Sequence, residues 1–305
     1  MHPALEETAA RLPRPTRGRR MRRRLGLLTV TLVAVSVTAA AAGVTASAAT
    51  KPKPKPKPVA LALPNSIAAV GDSIARGYNA DPGSALTDTP QYSWVTGTPG
   101  ATSSHYLRVL RKNPAIRNRV YNDALAGAKM SDLGGQLANA AAQQAQYVDV
   151  MMGVNDACSS AVADMTPTAT FAGQFRNALG SFFKAAPRAH MLVASIPNVG
   201  QLWTMFSGRA DVVQLWTTFG ICAPILSANS SAADRAAAIQ RITEYNAVLA
   251  STCKLYWQCK SDGNAVFNYH FSAAEVSTVD FFHPSLAGQR SLASITWAKG
   301  WWPTR

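Results

Sequence analysis

Four short stretches hold residue types that together can carry acyl chemistry. The first is Gly71-Asp72-Ser73-Ile74. A serine in such a turn behind a strand presents its hydroxyl to solvent, while the N–H groups of the following turn stabilise negative charge. The second, Asn122-Asp123-Ala124-Leu125-Ala126-Gly127-Ala128, offers in Gly127 a position where a backbone N–H can approach a ligand closely. The third, Gly153-Val154-Asn155-Asp156, supplies a side-chain amide. An oxyanion hole needs fixed donors, and the N–H of Ser73, the N–H of Gly127 and the amide of Asn155 are of that kind. The fourth, Asp280-Phe281-Phe282-His283-Pro284, sets a carboxylate and an imidazole three residues apart on one loop. Asp280 can then fix the tautomer of His283 and stabilise its charged form, and Pro284 keeps His283 extended.

Taken singly, each stretch has an ordinary reading. Asp72 or Ser73 can cap a helix, the glycine and asparagine can be turn residues, and a lone DxxH can be a capping or ion pair. Of the other histidines, His2 lies in the N-terminal segment and His105 on a helix, while His190 and His270 fall at strand edges, where a structural imidazole is the plain reading.

Short apolar segments suited to strands are Ser66 to Val70, Val120 to Leu125, Tyr147 to Met152, His190 to Ile196 and Ala265 to Tyr269. Helical patterns lie between them at Ser103 to Lys112, Ser131 to Gln144, Thr168 to Ala185 and Ala233 to Leu255, with a last helix from near Ser285 to Trp297. Strands alternating with helices predict an α/β domain whose parallel sheet is covered on both faces. Ligands in such sheets sit beyond the carboxyl ends of the strands. The stretch Val199 to Leu226 holds Trp203, Met205, Phe206, Trp216, Phe219 and Ile221 and reads as an irregular apolar insertion. It either lines an acyl-chain groove or is cover packing tied down by Cys222. Trp297, Trp301 and Trp302 are expected to anchor the C-terminal helix rather than to bind sugar.

The chain has 305 residues and a net charge of +14. Residues 1–58 carry twelve basic residues against Glu6 and Glu7, so +10 of that charge lies there. A phosphate-binding surface on the domain is therefore not expected, and neither is a nucleic-acid partner. Residues 1–49 read as a signal peptide, with a basic stretch, an apolar run from Leu25 and the small residues Ala46-Ser47-Ala48 ahead of cleavage after Ala48 or Ala49. A retained membrane anchor is the alternative. Residues 50–58 contain KPKPKPKP, a stiff cationic spacer whose Lys51, Lys53, Lys55 and Lys57 can attract anionic cell-wall polymer. Residues 59–305 then form one domain, expected to be monomeric and secreted or extracellular, with cell-wall association expected through that spacer. Four cysteines suit an oxidising compartment. Cys253 and Cys259 flank a short loop and are expected to pair, leaving Cys158 with Cys222. With no CxxC and no neighbouring histidine, a metal site is not expected.

In their order, the four stretches resemble the sequence blocks of the SGNH hydrolases, also called the GDSL esterase and lipase family. The matching blocks run from Gly71 to Pro284. The resemblance implies a flavodoxin-like three-layer α/β/α sandwich on a parallel five-stranded sheet. It implies Ser73 as nucleophile, His283 as general base and Asp280 as its orienting acid, with Ser73, Gly127 and Asn155 as the oxyanion hole. Ile74 stands where the family name has Leu, and Asn122-Asp123 stands where an asparagine is commonly followed by apolar residues. Ser195-Ile196-Pro197-Asn198 also looks like the family, and Cys158 follows the third block as a cysteine commonly does in secreted actinobacterial members. The implied activity is that of a serine carboxylesterase or lipase working on small-molecule or lipid esters through an acyl-enzyme, with no metal or organic cofactor. The same residues would serve a carbohydrate or peptidoglycan O-acetylesterase, and a non-catalytic wall-binding domain is the reading from another class.

Overall fold

A computed structural model describes residues 61–303, so the signal-peptide and Lys-Pro spacer readings lie outside the described residues. The described residues make one compact unit. The sheet is built from β1 (Ile67–Gly71), β2 (Val120–Asn122), β3 (Tyr147–Met151), β4 (His190–Val193) and β5 (Cys259–Ser261). The strands lie side by side in the order β2-β1-β3-β4-β5, and every pairing is parallel. All residues of β1 and β3 are buried, as central strands covered on both faces require. The chain moves to one side of β1 for β2 and to the other for β3. That reversal opens a crevice at the carboxyl ends of β1 and β3, where such folds hold ligands.

The helices among the described residues are α1 (His105–Leu110), α2 (Leu133–Ala142), α3 (Val154–Ala157), α4 (Thr168–Ala185), α5 (Gly200–Phe206), α6 (Ala210–Phe219), α7 (Ala223–Leu226), α8 (Ala232–Cys253) and α9 (Leu286–Lys299). Helices α2, α4 and α8 pack side by side as one layer. Helices α1 and α9 make the other, joined by His105 to the Ala293 carbonyl and by Arg108 to Ser294. In α4 the buried residues Phe171, Phe175, Leu179 and Phe182 recur every three or four positions, which is why its helical period is plain. Helix α8 starts at a capping box between Ser231 and Asp234. The Ser285 hydroxyl caps α9. Among the described residues no helix is long and apolar enough to cross a membrane.

Three expectations change. The fifth strand is Cys259–Ser261, not Ala265 to Tyr269. It is three residues long, polar and at the sheet edge, so no apolar period marks it. The expected segment instead wraps around Asp262, whose carboxylate accepts from the N–H groups of Asn264 and Val266 and from the Ser195 hydroxyl, while buried Val266 supplies the apolar signal. His270 is accordingly in a loop, whereas His190 does begin β4. The stretch Val199 to Leu226 is not irregular but forms α5, α6 and α7. Both disulfides form as expected, Cys158–Cys222 and Cys253–Cys259. On the chain-entropy argument the 64-residue separation of the first makes it the stronger constraint, about 4 kcal/mol.

One polar pair crosses the core. Asp149, in the middle of β3, contacts His105 Nδ1 at 2.9 Å with both side chains fully buried. The Nε2 of His105 lies 2.9 Å from the Thr296 hydroxyl, so sheet, α1 and α9 meet on one imidazole. Removing one partner of such a pair strands the other without solvent, at about 3–5 kcal/mol. Asp149→Ala should lose that much in urea unfolding, and a variant within about 0.5 kcal/mol of the parent would refute the pair as a structural tie.

Candidate active site

Ser73 stands at the end of β1 because the backbone turns sharply at Gly71. A Cβ there would lie 2.0 Å from the Met151 carbonyl oxygen of β3, and φ is +142°, so only glycine lets the two strands approach and the chain leave. Gly71 pairs with Met151 of β3 on one side, but short β2 leaves it without a strand partner on the other, and Gln136 of α2 takes that place. The Gly71 N–H donates to Gln136 Oε1 at 2.6 Å and Gln136 Nε2 donates back to the Gly71 carbonyl at 2.9 Å. Next, Asp72 Oδ1 accepts the Ile74 N–H at 3.0 Å, and Gln289 of α9 donates to the Ile74 carbonyl at 2.9 Å. No regular helix follows Ser73. The chain continues through turns with Gly77 and Asn79 at positive φ.

The partner loop comes from just before α9. His283 Nε2 lies 2.8 Å from Ser73 Oγ, and His283 Nδ1 lies 2.6 Å from Asp280 Oδ2. Asp280 Oδ2 also accepts from Asn79 Nδ2 at 2.6 Å, while Oδ1 accepts the N–H groups of Phe282 and His283 at 2.9 and 3.0 Å. Burial pushes the Asp280 carboxyl up, but hydrogen bonding to His283, the charge of that ring and the two N–H groups outweigh it and hold the net value below the usual range. The Trp216 indole N–H of α6 donates to the Asp280 carbonyl at 3.0 Å. The ring of Tyr78 sits beside His283, centroids 4.9 Å apart.

These groups open into a pocket of about 690 Å³ that also holds Gly127 and Asn155. Asn155 Nδ2 donates one hydrogen to the Ala128 carbonyl at 2.9 Å, which fixes the amide and leaves its second hydrogen for a ligand. Gly127 has φ +79°, and nothing lies within 4 Å of where its Cβ would be. Neither the Ser73 nor the Gly127 N–H donates to any acceptor among the described residues. The structure thus brings all five sequence-predicted site residues together. Trp216 is fully buried and Trp203 lies under the Arg235 guanidinium, 3.6 Å from its ring centroid, so the apolar wall of the pocket comes instead from Leu215, Phe219 and Ile221, with Leu86 opposite in sequence. Asn79, Gln136 and Gln289 escape sequence reasoning. Each is a polar residue with no local motif partner.

A hydrogen-bonded serine, histidine and aspartate at the switch point of a parallel sheet define a hydrolase-like α/β site. The model of the GDSL-like lipase/acylhydrolase family matches residues 69–291, and the chain belongs to that family, whose members hydrolyse ester bonds. Similar solved structures include an alpha/beta hydrolase from the metagenome of Lake Arreo, Spain, with 19% identity, 77% of this chain and 94% of that chain covered, and a TM-score of 0.49. An acetylxylan esterase from Geobacillus stearothermophilus shows 16% identity, coverage of 77% and 95%, and a TM-score of 0.48. An extracellular lipase from Streptomyces rimosus shows 16%, 77% and 99%, and 0.45. No curated protein matches the chain.

Behind the serine, Asp72 Oδ2 and Asp156 Oδ1 are buried without a hydrogen-bond partner. Burial pushes the Asp72 carboxyl up to about 7; the Ile74 N–H and His283 oppose this, and nearby Asp156 adds to it. The folded value exceeds the unfolded one, so the unfolded chain binds fewer protons between about pH 4 and 7. Stability therefore falls as pH rises through that window, by up to about 4 kcal/mol. Asp72→Asn should match the parent's stability near pH 4 to within a constant offset and exceed that offset by several kcal/mol at pH 8. A difference in unfolding free energy that does not change with pH would refute the assignment.

Proposed function

We propose that the chain is an exported serine ester hydrolase that cleaves acyl esters through Ser73, His283 and Asp280. The observation that carries this reading is the unbroken run of hydrogen bonds from Asp280 through His283 to Ser73 Oγ, opening into a largely apolar pocket. His283 Nε2 takes the Ser73 proton as Oγ attacks the ester carbonyl carbon. The carbonyl oxygen becomes negative and is met by the N–H groups of Ser73 and Gly127 and the Asn155 amide. The C–O bond to the alcohol breaks, and His283 returns the proton to the leaving oxygen. Water then repeats the sequence on the acyl-enzyme and releases the acid. Throughout, Asp280 orients the ring and stabilises its charged form. The wall of Leu215, Phe219 and Ile221 favours acyl chains longer than acetyl, because each methylene it buries contributes roughly 0.8 kcal/mol.

With p-nitrophenyl acetate, butyrate, octanoate and palmitate, kcat/KM should rise through octanoate. Ser73→Ala should lose both turnover and labelling by an organophosphonate. Asn155→Ala should lower kcat by about 10²–10³-fold, and Phe219→Ala should reduce octanoate turnover more than acetate turnover. Full labelling of Ser73→Ala would refute the nucleophile, and activity confined to acetate would favour an O-acetylesterase.

Export is supported by the leader-like residues 1–49 and by two disulfides, bonds that persist in oxidising compartments. N-terminal sequencing of protein recovered from the medium should begin at Ala49 or Thr50, and recovery only from membranes with Met1 or residues near it intact would favour the anchor.

A further inference from the structure

We propose that the Phe282 side chain is a gate between the reaction pocket and a second apolar cavity, and that this cavity takes the far end of an acyl chain when the ring swings aside. The proposal rests on the acyl-ester reading above and adds a chain-length determinant to it. The second cavity, about 50 Å³, is lined by Ile74, Val154, Leu202, Val276 and Phe282 among others. It is several times the roughly 10–15 Å³ that a cavity needs to admit one water molecule. Its position is set by adjacent residues. Ser73, Asn155 and His283 line the reaction pocket, and their immediate chain neighbours Ile74, Val154 and Phe282 line the second cavity. The cavity therefore lies directly behind the reacting groups. Phe282 lines both spaces.

The polar residues that reach this cavity are already engaged by the protein. The Gln201 amide holds the Tyr269 carbonyl and the Phe271 N–H. Glu275 accepts from the Tyr269 hydroxyl and the Ser272 N–H, and Asn198 Oδ1 accepts the Gly200 N–H. What the cavity offers a ligand is apolar surface, so hydrocarbon is the chemistry it suits. Phe282 is also built to move independently of the machinery beside it. Its backbone N–H is fixed to Asp280 Oδ1 at 2.9 Å, whereas its partly exposed ring meets His283 edge-on, centroids 4.9 Å apart. Rotation about the side-chain bonds can thus join the two spaces while the main chain that holds Asp280 and His283 stays in place.

The test is the ratio of kcat/KM for p-nitrophenyl laurate to that for the acetate. Phe282→Ala should raise it about tenfold or more, the size of effect that added hydrocarbon contact gives in an apolar pocket. Leu202→Phe fills the cavity from its far side. In the Phe282→Ala background it should return the ratio to the parent value; in the parent it should depress laurate turnover and leave acetate turnover unchanged. This single variant keeps the test decisive if Phe282→Ala does not fold. Equal loss on both esters in Phe282→Ala would overturn the gate and leave the ring as a support for His283. An unchanged ratio in Leu202→Phe would overturn use of the cavity. Organophosphonate labelling of each variant reads Ser73 separately, so a failed serine mechanism and a failed gate give different results.

Discussion

Four donors converge on the Asp280 carboxylate, and they come from two parts of the chain: the Asn79 amide from the turn after β1, and the Phe282 and His283 N–H groups and the His283 ring from its own loop. The peptide of the same residue receives the Trp216 indole from α6. Burying a carboxylate without partners is among the costlier acts in a protein, and charge-assisted hydrogen bonds are what make it tolerable. Here they do more than compensate, since the carboxyl is held below its ordinary range despite burial. The same bonds that keep it charged fix the loop against the nucleophile turn, and so join His283 to a serine 210 positions away. Weakening Asp280 would therefore disturb position and charge together.

The other buried acids show what happens with fewer donors. Asp149 keeps one oxygen on His105 and leaves the other unpaired, and its pair ties the layer of α1 and α9 to the sheet. Asp72 has a single N–H on Oδ1 and nothing on Oδ2, and burial dominates it. Asp72 and Asp280 thus flank one serine under opposite balances of the same two effects, desolvation and hydrogen bonding. The number of donors each carboxylate receives decides the outcome.

That contrast also explains how much was legible in the sequence. Ser73, Asn155, Asp280 and His283 could be found because each follows or precedes an element whose periodicity is clear, and the fold puts ligands at that end of the sheet. Gly127 was visible as a glycine, but its use depends on a positive φ that only the folded turn displays. Asn79, Gln136 and Gln289 satisfy backbone or carboxylate groups 65 to 215 positions away, and nothing local distinguishes them from surface amides. The fifth strand escaped for the converse reason. A three-residue edge strand owes its place to pairing with β4 and to the neighbouring disulfide, while the more apolar segment after it packs inward as a turn. In the insertion, composition revealed apolar content but not which tryptophan would be consumed in holding the Asp280 loop.

A last regularity concerns the direction in which the functional loops face. At each of three places along the chain, a polar residue meets the reaction pocket and an apolar neighbour meets the space behind it: Ser73 with Ile74, Asn155 with Val154, His283 with Phe282. Adjacent side chains diverge, to opposite faces on an extended backbone and by about 100° around a helix such as α3, which carries Val154 and Asn155, so a segment that presents a reactive group forward turns its neighbour away from it. Where three such segments converge, the neighbouring residues Ile74, Val154 and Phe282 line a common space. Close packing ordinarily eliminates such voids, yet a loop pinned by backbone hydrogen bonds, as Phe282 and His283 are to Asp280, cannot collapse into one without moving the groups it presents. The space behind the serine is thus a consequence of holding the front rigid, and its apolar lining follows from the same alternation.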